Sequence, residues 1–565
     1  MVHRIFYHLM TILTLTLLPG SSSLFISPIQ AQPPGSSQHR ALPGNDPIPG
    51  RLARSDWRQI RDLLEKQVDP PASSQATGGL PGQPVYFKAS NTDQGDGFGT
   101  SVAVSGDLVV VGAPLEDSSS TGVDGIQADN SYSQAGAAYV FVRSGSGWIQ
   151  QAYLKASNTD PADNFGCSVA ASGVTVVVGA CGEDSNGDGG ESDNSAGDAG
   201  AAYVFTRSES GWIQQAYLKA SNAECGDNFG YSVAIFENTI LVGALYEDSN
   251  TLGINGDETN NAAADSGAAY VFTRSGSSWT QKAYLKASNT EATDWFGYSV
   301  AVWNDGALNH ILVGAPWEDS DANGVGGNQS DNNAWDAGAA YYFTGSGLSW
   351  SQMSYLKAPN SEANDLFGMS VGLRNDSAVV GAPSEDSRAS GVNGDPNDNS
   401  LESSGAAYMF VCWTTCSYNA YLKASNPDSM DRFGWSVAAI NGALLVTARL
   451  EDSGASGVNG DQDDNSASGS GAAYFFIYIL GEGWRQQAYL KASNTEAGDN
   501  FGWSAAIDND VLVVGARGED SDATGVNGDQ SGNSASTSGA VYIPETIKYH
   551  FLPVIKKSIT SYYRI

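Results

Sequence analysis

The sequence predicts an all-β chain, a seven-bladed β-propeller of four-stranded antiparallel blades closed by an N-terminal strand that completes the last blade. Three observations carry this expectation. One unit recurs seven times between residues 83 and 545. Each unit holds four short runs of β-branched and aromatic residues, the patterning of strands. The array also stops one strand short, and a lone copy of the missing strand precedes the first unit. A linear array would need distinct caps at its ends, whereas complementary ends close a ring.

Ahead of the array, Met1 to His8 carries Arg4, Leu9 to Leu18 is apolar, and small residues lead to Ala31. Residues 1–31 therefore read as a secretory signal peptide, because Pro19, Ser21 to Ser23 and Pro28 interrupt the run before it reaches membrane-spanning length. Residues 32–82 form a Pro/Gly/Ser-rich linker, with a short helix expected over 55–67 and Ser55 or Asp56 placed to cap it. The expected location is secreted or at the cell surface. Residues 546–565 form a C-terminal tail, apolar and then basic.

Within the array the pair Phe-Gly, preceded by Asp, marks each unit. It stands at Asp96/Phe98, Asp163/Phe165, Asp227/Phe229, Asp294/Phe296, Asp365/Phe367, Asp431/Phe433 and Asp499/Phe501. A strand ending in Gly-Ala, often with Pro, follows, then Glu-Asp in every unit and finally Gly-Ala-Ala-Tyr or a near match. In the first unit the strands are expected at Ser101 to Val104, Leu108 to Ala113, Ala137 to Arg143 and Trp148 to Ala156. The second is apolar throughout, as in a strand covered on both faces, and the fourth mixes Gln150, Gln151 and Lys155 with Tyr153 and Leu154, as at an edge. The closing strand is expected at Val85 to Ser90, beside Gly539 to Ile543.

These residues, Phe-Gly seven times over, followed by Gly-Ala in six units and by the full Gly-Ala-Pro in three, resemble the FG-GAP repeat of integrin alpha-subunit propellers and of bacterial secreted proteins similar to them. The resemblance implies a propeller that binds partners through its upper face. One departure matters. The integrin-like calcium loop joins the first and second strands, where this chain has tight turns such as Ser105-Gly106-Asp107, so that family's calcium residues do not transfer. The sixth unit also reads Thr447-Ala448-Arg449 in place of Gly-Ala-Pro.

Composition narrows the function. The 565 residues include 62 acidic and 28 basic side chains, a formal net charge of −34. Such a surface repels nucleic acid and anionic lipid and favours cations; no nucleic-acid partner and no membrane insertion are expected. In an antiparallel blade the long links, about twenty residues between second and third strands, all emerge on one face, and loops on a rigid scaffold are where function concentrates. Those links are acidic. Asp184, Asn186, Asp188 and Asp193 approach calcium-loop spacing, and Gly-Val-Asn-Gly-Asp supplies Asn393 and Asp395, Asn459 and Asp461, and Asn527 and Asp529, with Asp398, Asp463 and Asp464 following. Hard oxygen donors on flexible glycines suit Ca²⁺; the same residues also suit turns in which Asx side chains bond their own backbone. The repeated Glu-Asp pair and the Asp before each Phe read as structural, since seven equal catalytic copies would be odd.

Of five histidines only His310 falls inside the array, which leaves nucleophilic triads and histidine metal centres without material. Departures from the repeat point to a ligand site instead. Tyr231, Tyr298, Trp435 and Trp503 follow Phe-Gly, and Tyr246, Trp295, Trp317 and Trp335 lie on link positions, a set able to hold a sugar ring or peptide. The reading is an exported, non-enzymatic binding or adhesion propeller for an extracellular protein or glycan, with Ca²⁺ as a candidate ion. The alternatives are an extracellular carboxylate-based enzyme on polysaccharide, glycosidase or lyase, and a purely structural surface repeat protein. Cys167 with Cys181, and Cys412 with Cys416, are placed for disulfides in an exported chain.

Overall fold

The computed structural model describes residues 84–544 apart from 146, 188 and 189. The expected signal peptide, the helix over 55–67 and the tail 546–565 lie outside the described residues, as does Asp188. Among the described residues there are 28 strands and no helix, hence none long and apolar enough to cross a membrane.

The strands form seven four-stranded antiparallel sheets arranged as the blades of a propeller. In blade 1 they are Ser101–Ser105, Leu108–Ala113, Ala137–Ser144 and Gly147–Leu154, within two residues of the sequence expectation. Sheet order follows chain order in blades 1 to 6, while blade 7 takes Val85–Phe87 as its outer strand. That strand pairs antiparallel with Ala540–Ile543, Tyr86 opposite Tyr542.

The first strands of neighbouring blades pack on one another and the fourth strands scarcely meet, so the first strand is innermost and the fourth is the rim. The second strand is buried along its whole length in every blade, which explains its unbroken run of Val, Ile and Leu. At the rim, the pairing of third and fourth strands slips by one residue in each of blades 1 to 6. A bulge there bends the edge and discourages a further strand from adding.

The core is a set of wedges between blades. Leu108, Val110 and Val140 of blade 1 pack with Phe165, Val176 and Phe205 of blade 2, and Val85, Phe87 and Val513 of blade 7 pack with Val109 and Phe141 of blade 1. The repeated glycines allow this approach. A Cβ on Gly112 would stand 2.1 Å from the Gly166 carbonyl oxygen, and one on Gly166, at φ +96°, 2.3 Å from Ala137 O. With both absent, Ser101 Oγ donates to Gly166 O at 2.8 Å, and the same serine-to-glycine bond recurs at five further junctions.

Cys412 and Cys416 are disulfide-bonded. Cys167 and Cys181 are free thiols, with the Cys181 N–H donating to Cys167 Sγ at 3.2 Å.

Candidate functional site at the axial mouth

Each first strand begins at or just after Phe-Gly and each second strand ends in Gly-Ala, or Thr-Ala in blade 6, on the face from which the long links emerge. Four positions per blade therefore surround the axis there: the residues before and after Phe-Gly, and the two after Gly-Ala. In blade 1 they are Gly97, Thr100, Pro114 and Leu115, none of them aromatic or charged. In blades 3 and 4 they include Tyr231, Tyr246, Trp295, Tyr298 and Trp317, all half-buried. The Trp295 and Trp317 ring centroids lie 3.8 Å apart. Trp295 and Tyr298 lie 6.2 Å apart within 10° of parallel, and Tyr298 meets Tyr231 at 5.2 Å. Tyr246 packs edge-on against Trp295 at 5.2 Å. Five of the eight expected aromatic residues thus form one surface.

Trp435 and Trp503 form a second group, 5.6 Å apart, with Trp435 Nε1 donating to Trp503 O at 3.1 Å. Trp335 stands by itself in the outer link, 73% exposed.

What sequence reasoning missed is the cationic component. Arg449 and Arg517 occupy the proline position of Gly-Ala-Pro in blades 6 and 7, and Arg432 precedes Phe433. The Arg449 guanidinium lies 3.8 Å over the Trp435 ring and 4.9 Å from that of Trp503, on which Arg517 also stacks at 4.6 Å. Burial, then repulsion from Arg432, brings the Arg449 pKa down to about 10, and Tyr298 acts on it in the opposite sense. Tyr298 of blade 4 and Arg449 of blade 6 both stand at mouth positions of their blades, so the two groups open on the same mouth. The signal was visible as a broken motif, yet a substitution of Pro by Arg in one repeat does not say which way the side chain turns.

The blade 6–7 junction is also built differently. Thr447 replaces the glycine found there in the other units, and its Oγ1 takes the Ser436 N–H at 3.0 Å. Ser436 Oγ instead accepts from Ala505 N at 3.1 Å.

The acidic residues of the long links are largely engaged in local structure. Asn393, Asn459 and Asn527 sit at φ near +55°, and each amide oxygen accepts a rim-strand N–H, from Tyr421, Tyr489 and Tyr86 respectively, at 3.0 Å. Asp395, Asp461 and Asp529 each accept the N–H two residues on, and Asp398 and Asp464 do the same for Ser400 and Ser466; the N–H held by Asp461 is that of Asp463. Asp184 accepts from Asp198 N at 2.8 Å and Asp193 from Ser195 Oγ at 3.0 Å; Asn186 is likewise engaged by a neighbour. Among the described residues no three His, Cys, Asp or Glu side chains converge as a metal cage.

The repeated Glu-Asp pair is structural in every blade. Its Glu is buried in an ion pair with a lysine at 2.8 to 3.1 Å, Glu318 with Lys357 for example, and also accepts a tyrosine hydroxyl, Tyr355 at 2.8 Å. An asparagine from the preceding unit, Asn289, donates to the same Glu318 at 2.7 Å, tying neighbouring blades together. Its Asp closes the base of the long link, as Asp319 does by accepting Asp336 N at 2.9 Å. His310 is buried on the opposite face, Nδ1 2.6 Å from the Tyr342 hydroxyl.

The fold and this mouth define a β-propeller with one aromatic and cationic opening on its long-link face. The family model described as the FG-GAP repeat matches residues 83–141, 148–205, 212–272, 279–343, 350–410 and 484–543, and the chain belongs to that family. The unit left unmatched is blade 6, the one carrying Thr447 and Arg449. No curated protein matches the chain. Two similar solved structures are of a mutant Aleuria aurantia lectin, one in complex with Fucalpha1-6GlcNAc and one with alpha-methyl-L-fucoside. Each is 12% identical, covers 72% of this chain and 99% of the lectin chain, and has a TM-score of 0.34.

Proposed function

We propose that the protein is an exported, non-enzymatic binding propeller that takes an extracellular protein or glycan ligand at the axial mouth. The observation that carries this reading is the continuous, half-buried aromatic surface of Tyr231, Trp295, Tyr298 and Trp317. Partly exposed aromatic rings on a rigid ring offer contact area at little ordering cost. A carboxylate-based enzyme needs two acids facing its substrate, and none of the four mouth positions is acidic in any blade. A purely structural repeat would have no reason to concentrate rings in blades 3 and 4.

Calcium enters this proposal in a limited form. Carboxylates that already cap backbone N–H groups keep an outward oxygen, so the links attract Ca²⁺ through summed charge and single carboxylates.

Glycan and matrix-protein arrays probed with the purified protein, with product analysis of any glycan hit, test the reading. Retention of an unmodified ligand, lost in Trp295→Ala and Trp317→Ala, is the expected result. Turnover of the ligand, or binding indifferent to both substitutions, would overturn it.

A further inference from the structure

Three arginines gather at the mouth of a protein whose net charge is −34. Among the described residues no carboxylate lies within ion-pair distance, 4.0 Å, of Arg432, Arg449 or Arg517. The buried Nε atoms of Arg432 and Arg449 have no hydrogen-bond partner, and Arg432 Nη1 reaches only Ser384 Oγ, at 3.3 Å. Stacking on Trp435 and Trp503 engages the flat faces of Arg449 and Arg517 and leaves guanidinium edges, the part that grips carboxylates. Like charges held together with unmatched donors present the chemistry that an anion satisfies. A random scatter of basic residues would find acidic neighbours here, since acidic side chains outnumber basic ones 62 to 28.

The second half of the argument is what lies beside them. The Trp295, Tyr298 and Trp317 rings of blade 4 pack together at the same set of blade positions, round the same mouth, as the arginine group of blades 6 and 7. A uronic acid residue has an apolar C–H face and a carboxylate on its rim, so one ring meets both surfaces at once. An acidic peptide side chain would use the arginines and leave the rings without a matching face.

We propose that the mouth binds an acidic polysaccharide, with Arg449 and Arg517 holding a uronate carboxylate and Trp295, Tyr298 and Trp317 taking the sugar face. This deepens the proposed function and rests on it. The negative field of the whole molecule slows the approach of a polyanion at low salt, so discrimination is read at about 0.15 M ionic strength, where the field is screened within roughly 8 Å.

The test is calorimetric titration of the full chain with oligomers of mannuronate, galacturonate and glucuronate, each against its carboxyl-reduced neutral counterpart, and with poly-glutamate. At least one acidic oligomer is expected to bind about tenfold to a hundredfold more tightly than its neutral form, the range of charge-assisted hydrogen bonds. Arg449→Gln and Arg517→Gln are expected to erase that difference by weakening the acidic oligomer, and Trp295→Ala to weaken both forms. If Arg449→Gln fails to fold, as judged by its melting curve, Arg517→Gln decides. Equal binding of acidic and neutral forms, or discrimination that survives both arginine substitutions, overturns the acidic-sugar site yet leaves the aromatic mouth standing. Binding of poly-glutamate that depends on the arginines, with no sugar bound, overturns it in favour of acidic peptides. No binding of any oligomer overturns it as well, and the protein arrays then decide whether the mouth has a ligand.

Discussion

The aspartate two residues before each Phe shows how burial sets a side chain's chemistry. Asp294 accepts the Glu291 N–H at 2.9 Å, closing the turn that leads into the inner strand. Burial raises its pKa to about 8, with the carboxylate of Glu318 adding to the shift and the backbone hydrogen bond opposing it; the other six rise to about 7 or 8 for the same reason. A carboxyl whose folded pKa exceeds its unfolded value keeps more protons folded than unfolded, so its contribution to stability is greatest below the unfolded pKa and is lost as pH rises towards the folded one. The melting temperature is therefore expected to be higher near about pH 5 than near about pH 8. Asp294→Asn, which mimics the protonated form, should make that fall shallower in thermal melts at both pH values. A melting temperature that rises between them would show these carboxyls ionised in the fold. The structural role of this Asp was legible in the sequence from its sevenfold recurrence. Its protonation was not, because no spacing reveals how much water reaches a side chain.

At the scale of elements, the long links do more than connect. Gly-Val-Asn-Gly-Asp clamps the rim: Val458 bridges to Leu490, Asn459 N donates to Tyr489 O at 2.8 Å, and its side chain takes the Tyr489 N–H in return. An outer strand with no neighbour beyond it gains a short substitute. Asn459→Gly keeps the left-handed backbone and is expected to cost about 1 kcal/mol for the lost hydrogen bond. Asn459→Ala should add about 1–2 kcal/mol of backbone strain. Denaturant melts separate the two, and faster hydrogen exchange at Tyr489 accompanies both; equal stability of Gly and Ala variants would remove the strain argument. The sequence pattern announced a special function for this pentapeptide and left calcium and turn chemistry side by side, since both use Asx oxygens on glycine-rich backbone. Only the position of the rim strand shows where the Asn oxygens go.

For the whole molecule, stability is a property of a ring in which every wedge of core belongs to two blades. Deleting 85–90 removes the outer strand of blade 7 and with it Lys88, the partner of Glu519 at 2.8 Å. An unpaired buried glutamate alone costs about 3–5 kcal/mol, and the exposed edge of Ala540–Ile543 invites association. The truncated protein is expected to melt well below the intact one and to self-associate in sizing chromatography; an unchanged melting curve would mean that the strand contributes nothing. The charge of the links predicts a second whole-molecule effect. At fixed ionic strength, millimolar Ca²⁺ is expected to raise the melting temperature more than Mg²⁺ does, because a ligand of the folded form stabilises it by mass action. Equal responses to the two ions would reduce the effect to screening.

By itself the sequence determined the repeat, its number, the four strands of each unit and the face that carries the long links, because these follow from periodicity and link length, which are properties of the chain in order. It also singled out Tyr231, Tyr298, Trp435 and Trp503 as departures from the repeat. The tertiary structure decided which departures meet. Trp317 and Trp295 are brought into contact, Trp335 is left outside, and Arg449 of blade 6 is stacked between Trp435 and Trp503 of neighbouring blades. The physical reason is closure. A ring brings together at its axis residues separated by more than a hundred positions in the chain, and the side chains that share that small opening are chosen by blade geometry, which no local pattern encodes.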